Sequence, residues 1–176
     1  MRRRIIVTIL LILAALILQT TVIPALPYFF ITPNLLLILV VSFGFMCGKR
    51  TGMLIGFFSG LLIDLLYGSF FGINALLYML IGYVNGMFCK LFFDEDLKVP
   101  MLLNGISDFI YGSLYYIFLF ALKKKHSYGV YLRYTILPEV ISTILFTILF
   151  YKLLFWINGR LSAHEMEEQQ SPWLGR

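Results

Sequence analysis

The chain has 176 residues, 60% of them AVILMFWYC and only 13% charged, with a mean hydropathy of +0.89. That is too much apolar surface for a water-soluble globule of this size and too little charge for disorder. Two cysteines exclude a disulfide scaffold, and the bases behind the net charge of +5 are scattered at the ends of apolar runs, not massed on one nucleic-acid-binding face.

An integral membrane protein remains, and punctuation by Gly, Pro and charge divides it into six apolar runs. Arg2, Arg3 and Arg4 precede the first, 5–23. Gln19-Thr20-Thr21-Val22-Ile23-Pro24 has no small-x-small cleavage site, and the run is about long enough to cross a ~30 Å hydrocarbon core, so an uncleaved first helix is expected. The second run, 29–47, is interrupted by Pro33-Asn34 and closed by Gly48-Lys49-Arg50. The third, 51–67, is short and glycine-rich; the fourth, 70–89, follows a Gly68-Ser69 turn. A solvated loop, Lys90–Pro100, carries Asp94, Glu95 and Asp96. The fifth run is 101–122, then comes a basic, aromatic loop, Lys123–Arg133, then the sixth run, 136–157. Asn158-Gly159 is expected to end it, leaving a polar tail over 158–176. Backbone groups in lipid must be satisfied within their own segment, and no period-two alternation points to barrel strands, so the fold class is all-α.

Lys and Arg set the sidedness. With the N-terminus inside, Arg2–Arg4, Lys49, Arg50, Lys90, Lys98, Lys152, Arg160 and Arg176 face the cytoplasm, ten of the fourteen basic residues. The outer side holds Lys123, Lys124, Lys125 and Arg133. The Lys123–Lys125 cluster runs against the rule, and a five-span arrangement would place it inside at the cost of one 22-residue run that does not cross.

Catalytic signatures are missing. Gly48-Lys49-Arg50-Thr51 lacks the upstream glycine of a phosphate-binding loop, and His164-Glu165-Met166-Glu167-Glu168 lacks the second His of a zincin helix. His126 and His164 fall on opposite sides of the membrane, so no Ser/His/acid arrangement can be assembled. Cys47 and Cys89, without His at ligand spacing, read as small buried hydrophobes. Neither an enzyme nor a cofactor or metal is expected.

Polar and small residues inside the runs carry what signal there is. Gly52, Gly56, Gly60 and Asp64 form an i+4 row on the third helix; Asn74, Tyr78, Gly82 and Gly86 form another on the fourth. Asn104, Asp108, Tyr111, Gly112 and Tyr115 share a face of the fifth, and Glu139, Ser142 and Thr143 lie together on the sixth. Small residues at every fourth position let helix backbones approach closely in lipid. A carboxylate within a span costs about 2.5–3.5 kcal/mol on insertion scales, less near the water interface. Asp108 is the deepest of the three acids, and Lys152 can snorkel. Two readings stay open: a bundle packed through these rows, or an interior polar seam or groove for another helix.

Taken in order, Gln19-Thr20-Thr21-Val22, Pro33-Asn34-Leu35-Leu36-Leu37, Gly48, Gly52, Gly56-x-x-x-Gly60-Leu61-Leu62-x-Asp64, Gly72-x-Asn74-Ala75-Leu76 and Gly82-Tyr83 resemble the MreD family of rod shape-determining proteins. The specific part lies between Gln19 and Gly86; Asp108 and Glu139 are not carried over from the family's pattern. The resemblance implies a small, non-enzymatic, multi-pass protein of the bacterial inner membrane. It further implies a scaffold role in the elongation machinery that inserts lateral peptidoglycan, with MreC as direct partner. MreB, RodA and a class B penicillin-binding protein are reached indirectly. The implied fold is similar to the six-helix S-components of energy-coupling-factor transporters, which keeps a small-molecule-binding transporter subunit as the alternative. Tyr28, Phe29 and Phe30 could contribute to such a pocket.

A topology reporter fused after Arg133 is expected to read extracytoplasmic; a cytoplasmic signal there would restore the five-span arrangement.

Overall fold

A computed structural model describes residues 2–25, 32–67, 71–90, 98–123 and 128–170, and six helices account for nearly all of them. Helix α1, Arg2–Ile17, continues through a π-helical turn, Leu18–Val22, into a last turn, Ile23–Ala25. Helix α2 is Leu35–Cys47, α3 is Lys49–Tyr67, and α4 is Ile73–Met87, ended by the 3-10 turn Phe88–Lys90. Helix α5 is Lys98–Lys123. Helix α6 starts at Tyr128–Tyr131, passes through a π-helical turn, Leu132–Ile136, and runs on as Leu137–Gln170.

Several boundaries depart from the apolar runs. Helix α2 begins at Leu35, not at 29, because Pro33 disfavours helical backbone at Thr32 and the Asn34 side chain accepts the Leu37 N–H at 3.2 Å as an N-cap. Helix α6 starts within the segment expected to be a basic loop. It also passes through Asn158-Gly159, since the Ala, Glu, Met and Gln beyond favour helix. Of the expected loop Lys90–Pro100, Lys90 closes a 3-10 turn and Lys98–Pro100 already form the first turn of α5; 91–97, with the acidic residues, lie outside the described residues, as do the Gly68-Ser69 turn, Tyr28–Phe30, Lys124, Lys125 and His126.

Among the described residues, three segments are long and apolar enough to cross a membrane: Arg3–Ala25, Lys49–Tyr67 and Tyr128–Leu161. Helix α5 has the length, at 26 residues. Helices α2 and α4, of 13 and 15 residues, extend about 20 and 22 Å.

Helix α2 is the core. Every residue from Leu35 to Phe45 is buried, and α1, α3, α4, α5 and α6 all pack against it. A helix apolar on all sides must be surrounded. The outer surface is apolar as well: Ile5, Leu10, Leu65, Leu102, Ile141 and Leu149 are each more than half exposed. In water that would be an aggregation surface; in lipid it is a solvent-matched exterior.

The most extensive helix contact is α3 with α4, antiparallel and in register. A Cβ on Gly52 would strike the Gly82 carbonyl, one on Gly56 the Tyr78 carbonyl, and one on Gly60 the Asn74 carbonyl. Each four-residue step along α3 is met by four residues back along α4. Gly44 of α2 joins the first pair, 3.6 Å from the position of a Gly44 Cβ to the Gly52 Cα. Three backbones thus meet where only hydrogen stands between them. Gly48, at φ +88°, is the one residue between α2 and α3 and lets the chain reverse there.

Gly56→Ala and Gly60→Ala are each expected to lower stability by about 1–3 kcal/mol, because the new methyl meets backbone that cannot swing away. Gly159 has open space around it within α6, so Gly159→Ala should be neutral or gain about 0.5–1 kcal/mol. Thermal unfolding of the purified variants in detergent distinguishes the two cases.

Candidate functional site

Between the starts of α2 and α4 lies a chain of buried polar side chains, and its strongest point is Asp64. This carboxylate sits in the last turn of α3 at 4% exposure. Its Oδ2 accepts the backbone N–H of Gly72 at 3.1 Å and of Ala75 at 2.9 Å. Its Oδ1 accepts the Asn74 backbone N–H at 3.2 Å and the Asn74 Nδ2 at 3.0 Å. Gly72, in the left-handed region at φ +99°, holds the N-cap position of α4 and has no side chain to cap with. Asp64 therefore caps α4 from the preceding helix, where the first N–H groups and the helix dipole favour a negative charge.

From Asn74 the network passes inward. Tyr111 Oη donates to Asn74 Oδ1 at 2.9 Å, and the Tyr111 ring meets Tyr78 edge-on with centroids 5.1 Å apart. Tyr78 is fully buried and donates to Asn34 Oδ1 at 2.6 Å, the oxygen that also takes the Leu37 N–H. Asn34 Nδ2 donates to Asp108 Oδ1 at 3.4 Å, and the Asn34 N–H donates to Thr143 Oγ1 at 3.1 Å. The Leu36 N–H is taken by Gln19 Oε1 of α1 at 3.1 Å. The π-helical turn at Leu18–Val22 holds that glutamine. All six helices contribute to the network.

Asp108 is buried on α5, and its Oδ2 has no hydrogen-bond partner among the described residues, although the Thr143 hydroxyl is close by. Asn104 Oδ1, one turn earlier on α5, is likewise buried and unpartnered. Glu139 is half-buried on α6 and within electrostatic range of Asp108, Tyr78, Tyr111 and Tyr131. A second link, Asn85 Nδ2 to Ser107 Oγ at 2.9 Å, ties α4 to α5.

The structure brings Asp64 and Asn74 into direct contact and joins them to Asp108 through Tyr111, Tyr78 and Asn34. It places Gly52, Gly56, Gly60, Gly82 and Gly86 in the α3–α4 seam and its margin with Lys49, so these faces are occupied within the chain. Gln19 and Asn34 were not among the residues that the sequence marked as a site. The signal that could have marked Asn34 is its place directly before a long apolar run, where helix N-caps sit. Among the described residues, no three His, Cys, Asp or Glu side chains are grouped to hold a metal.

Apolar without, with its polar groups turned inward and used to satisfy helix N-termini and one another, the bundle is that of a membrane protein. The family model for rod shape-determining protein MreD matches residues 1–157. The chain belongs to the MreD family, a family of structural proteins in rod-shape determination. No curated protein and no solved structure matches it.

Asp64→Leu leaves three backbone donors and one amide without an acceptor, and is expected to destabilise by at least about 3 kcal/mol. A hydrogen-bonded joint at Asp64 would, from sequence alone, tolerate Asn and reject Leu. The structure changes that expectation: both carboxylate oxygens accept, so in Asp64→Asn an NH2 group faces N–H donors. An intermediate loss of about 1–2 kcal/mol is expected for Asn. Equal unfolding temperatures for wild type and Asp64→Leu would show that the cap contributes nothing.

Proposed function

We propose that this MreD-family chain is a non-enzymatic scaffold of the bacterial elongation complex. It lies in the inner membrane, crosses six times with both termini cytoplasmic, and binds the membrane span of MreC. Through MreC it supports MreB, RodA and a class B penicillin-binding protein in lateral peptidoglycan synthesis.

The observation that carries this reading is the use made of the interior polar groups. Asp64, Asn74, Asn34, Tyr78 and Tyr111 bond to helix N-termini or to each other. Such an arrangement fixes helix positions, which is what a stoichiometric binding platform needs. A reaction centre or a ligand pocket instead holds polar groups convergent on open space. Six crossings fit the short α2 and α4, since α2 is sheathed by its neighbours and need not meet the full hydrocarbon thickness alone. The all-α six-helix arrangement is also what a likeness to the S-components of energy-coupling-factor transporters calls for.

Two measurements test the scaffold. The tagged chain, purified from its own membranes, is expected to bring MreC with it in near-stoichiometric amount. In cells lacking the native protein, wild type should restore rods, whereas Asp64→Leu should give rounded cells. Absence of MreC together with failure of wild type to restore rods would overturn the proposal. An equimolar soluble small molecule retained through purification would favour the transporter-subunit alternative.

A further inference from the structure

Two polar clusters lie apart from the bonds that cap α2 and α4. At one end of the open groove between α1 and α3, the Arg4 guanidinium donates to Asn158 Oδ1 at 2.8 Å and to Cys47 Sγ at 2.9 Å, and Cys47 Sγ donates to Asn158 Oδ1 at 3.3 Å. Cys47 is thus part of a polar knot, where the sequence suggested only a small buried hydrophobe, and the groups of the knot serve one another. The cluster between α5 and α6 does not close in this way. Asp108 is 2% exposed, and Asn104 and Thr143 are fully buried. Asn104 donates its Nδ2 to the Pro100 carbonyl at 2.9 Å, which leaves its Oδ1 without a hydrogen-bond partner among the described residues, as is Asp108 Oδ2 one turn along the same face. Asp108 Oδ1 takes only the long 3.4 Å bond from Asn34. Thr143 comes in beside Asp108 from α6, which runs antiparallel to α5: a Cβ on Gly105 would meet Ile144 at 2.8 Å, and one on Gly112 would meet Ile136 at 3.0 Å.

We infer that Asp108, Asn104 and Thr143 hold one small monovalent cation, sodium, between α5 and α6. Three arguments choose this ligand. Charge is the first. A buried carboxylate calls for a counter-charge. The nearest basic residues along these two helices, Lys98, Arg133 and Lys152, stand nine or ten residues from Asp108 or Thr143, about 14–15 Å. Glu139, half-buried one turn before Thr143, brings a second acid within electrostatic range of Asp108, and no base accompanies it. The donor set is the second. One carboxylate, one amide and one hydroxyl supply hard oxygens, which suit hard cations, and no sulfur or imidazole that would suit zinc or copper. With Asp108 as the single charged ligand, one positive charge leaves the buried site neutral. Space is the third. Gly105 and Gly112 stand on either side of Asp108 and bring α6 close to α5, which favours a small ion over a large one. The cation joins α5 to α6 as Asp64 joins α3 to α4, and the half-buried Glu139 marks its way in.

The inference goes beyond the scaffold reading and does not depend on it; the test uses the purified full chain without MreC. Thermal unfolding is followed in detergent at one pH and equal ionic strength, in sodium, potassium or N-methylglucamine chloride, and equilibrium binding of radioactive sodium is measured alongside. The unfolding temperature of wild type is expected to climb with sodium concentration, as binding to the folded state requires. Potassium should have a smaller effect and N-methylglucamine none, and binding should saturate at one sodium per chain. Asp108→Asn keeps the shape of the side chain, removes its charge, and should lose saturable binding. Asn104→Leu and Thr143→Val should each weaken binding about tenfold. A wild type that unfolds at the same temperature in sodium and N-methylglucamine and binds no sodium would overturn the site, leaving Asp108 to a proton or to water. Undiminished sodium binding by folded Asp108→Asn would overturn it as well, and equal effects of sodium and potassium would overturn the choice of ion. If Asp108→Asn does not fold, the wild-type ion series and Thr143→Val decide.

Discussion

A helix that begins inside a membrane bundle exposes its first N–H groups where no water can reach them, and the fold of this chain is organised around answering that demand twice. At α4 the answer is a carboxylate borrowed from α3: Asp64 takes the N–H groups of Gly72, Asn74 and Ala75. At α2 it is shared between Asn34, which caps its own helix, and Gln19, which reaches in from α1. Each answer ties one helix start to a different helix, so local backbone satisfaction and tertiary position are the same set of bonds. The charge on Asp64 is affordable because it sits on a helix N-terminus with four donors around it.

The glycine seam and the Asp64 cap depend on each other. With Gly52, Gly56 and Gly60 set against the backbone of α4, the two helices are closer than any side chain would permit. Gly60 abuts Asn74 and Ala75, and Asp64, one turn further along α3, then reaches the N–H groups of those two residues. A residue with a Cβ at Gly60 would lift α3 away and take the carboxylate out of hydrogen-bonding range. In lipid there is no hydrophobic drive to close that gap again, because the tails are as apolar as the side chains.

Much of this could be seen in the residues themselves. Six apolar segments, the four-residue rows of glycines on 52–60 and of Asn74, Tyr78, Gly82 and Gly86, and an acid at the end of the first row are all visible without a fold. The capping role of Asp64 was hidden because an N-cap is sought directly before its helix, and that position holds Gly72. Hydropathy placed the start of the second run at 29, six residues before α2 begins, since apolar content by itself does not mark where a helix starts. Pro33 and Asn34 hold that information instead. The helix through Asn158-Gly159 was missed for the opposite reason: a strong local stop signal was overridden by eleven following residues, most of good helical propensity, and by a long preceding helix. The Asp108–Glu139 neighbourhood, two residues 31 apart in sequence and on different helices, could not be assembled from spacing at all.

Helix α2 separates two polar regions of different character. Asn34 at its start belongs to the buried network that joins the helices; Cys47 at its end belongs to the Arg4–Asn158 knot at the mouth of the open groove. Thirteen residues lie along it, so the two regions are about 20 Å apart on opposite ends of the bundle. At that separation, and with no shared side chain between them, changes at one end should leave the other energetically independent. The buried end holds the helices to one another with bonds directed inward. The groove end ties Arg4 to Asn158 and Cys47 beside apolar walls that are partly exposed. A fold that keeps its internal satisfaction at one end can leave the other open to its surroundings without loosening the core, because α2 is enclosed along its length by the other five helices.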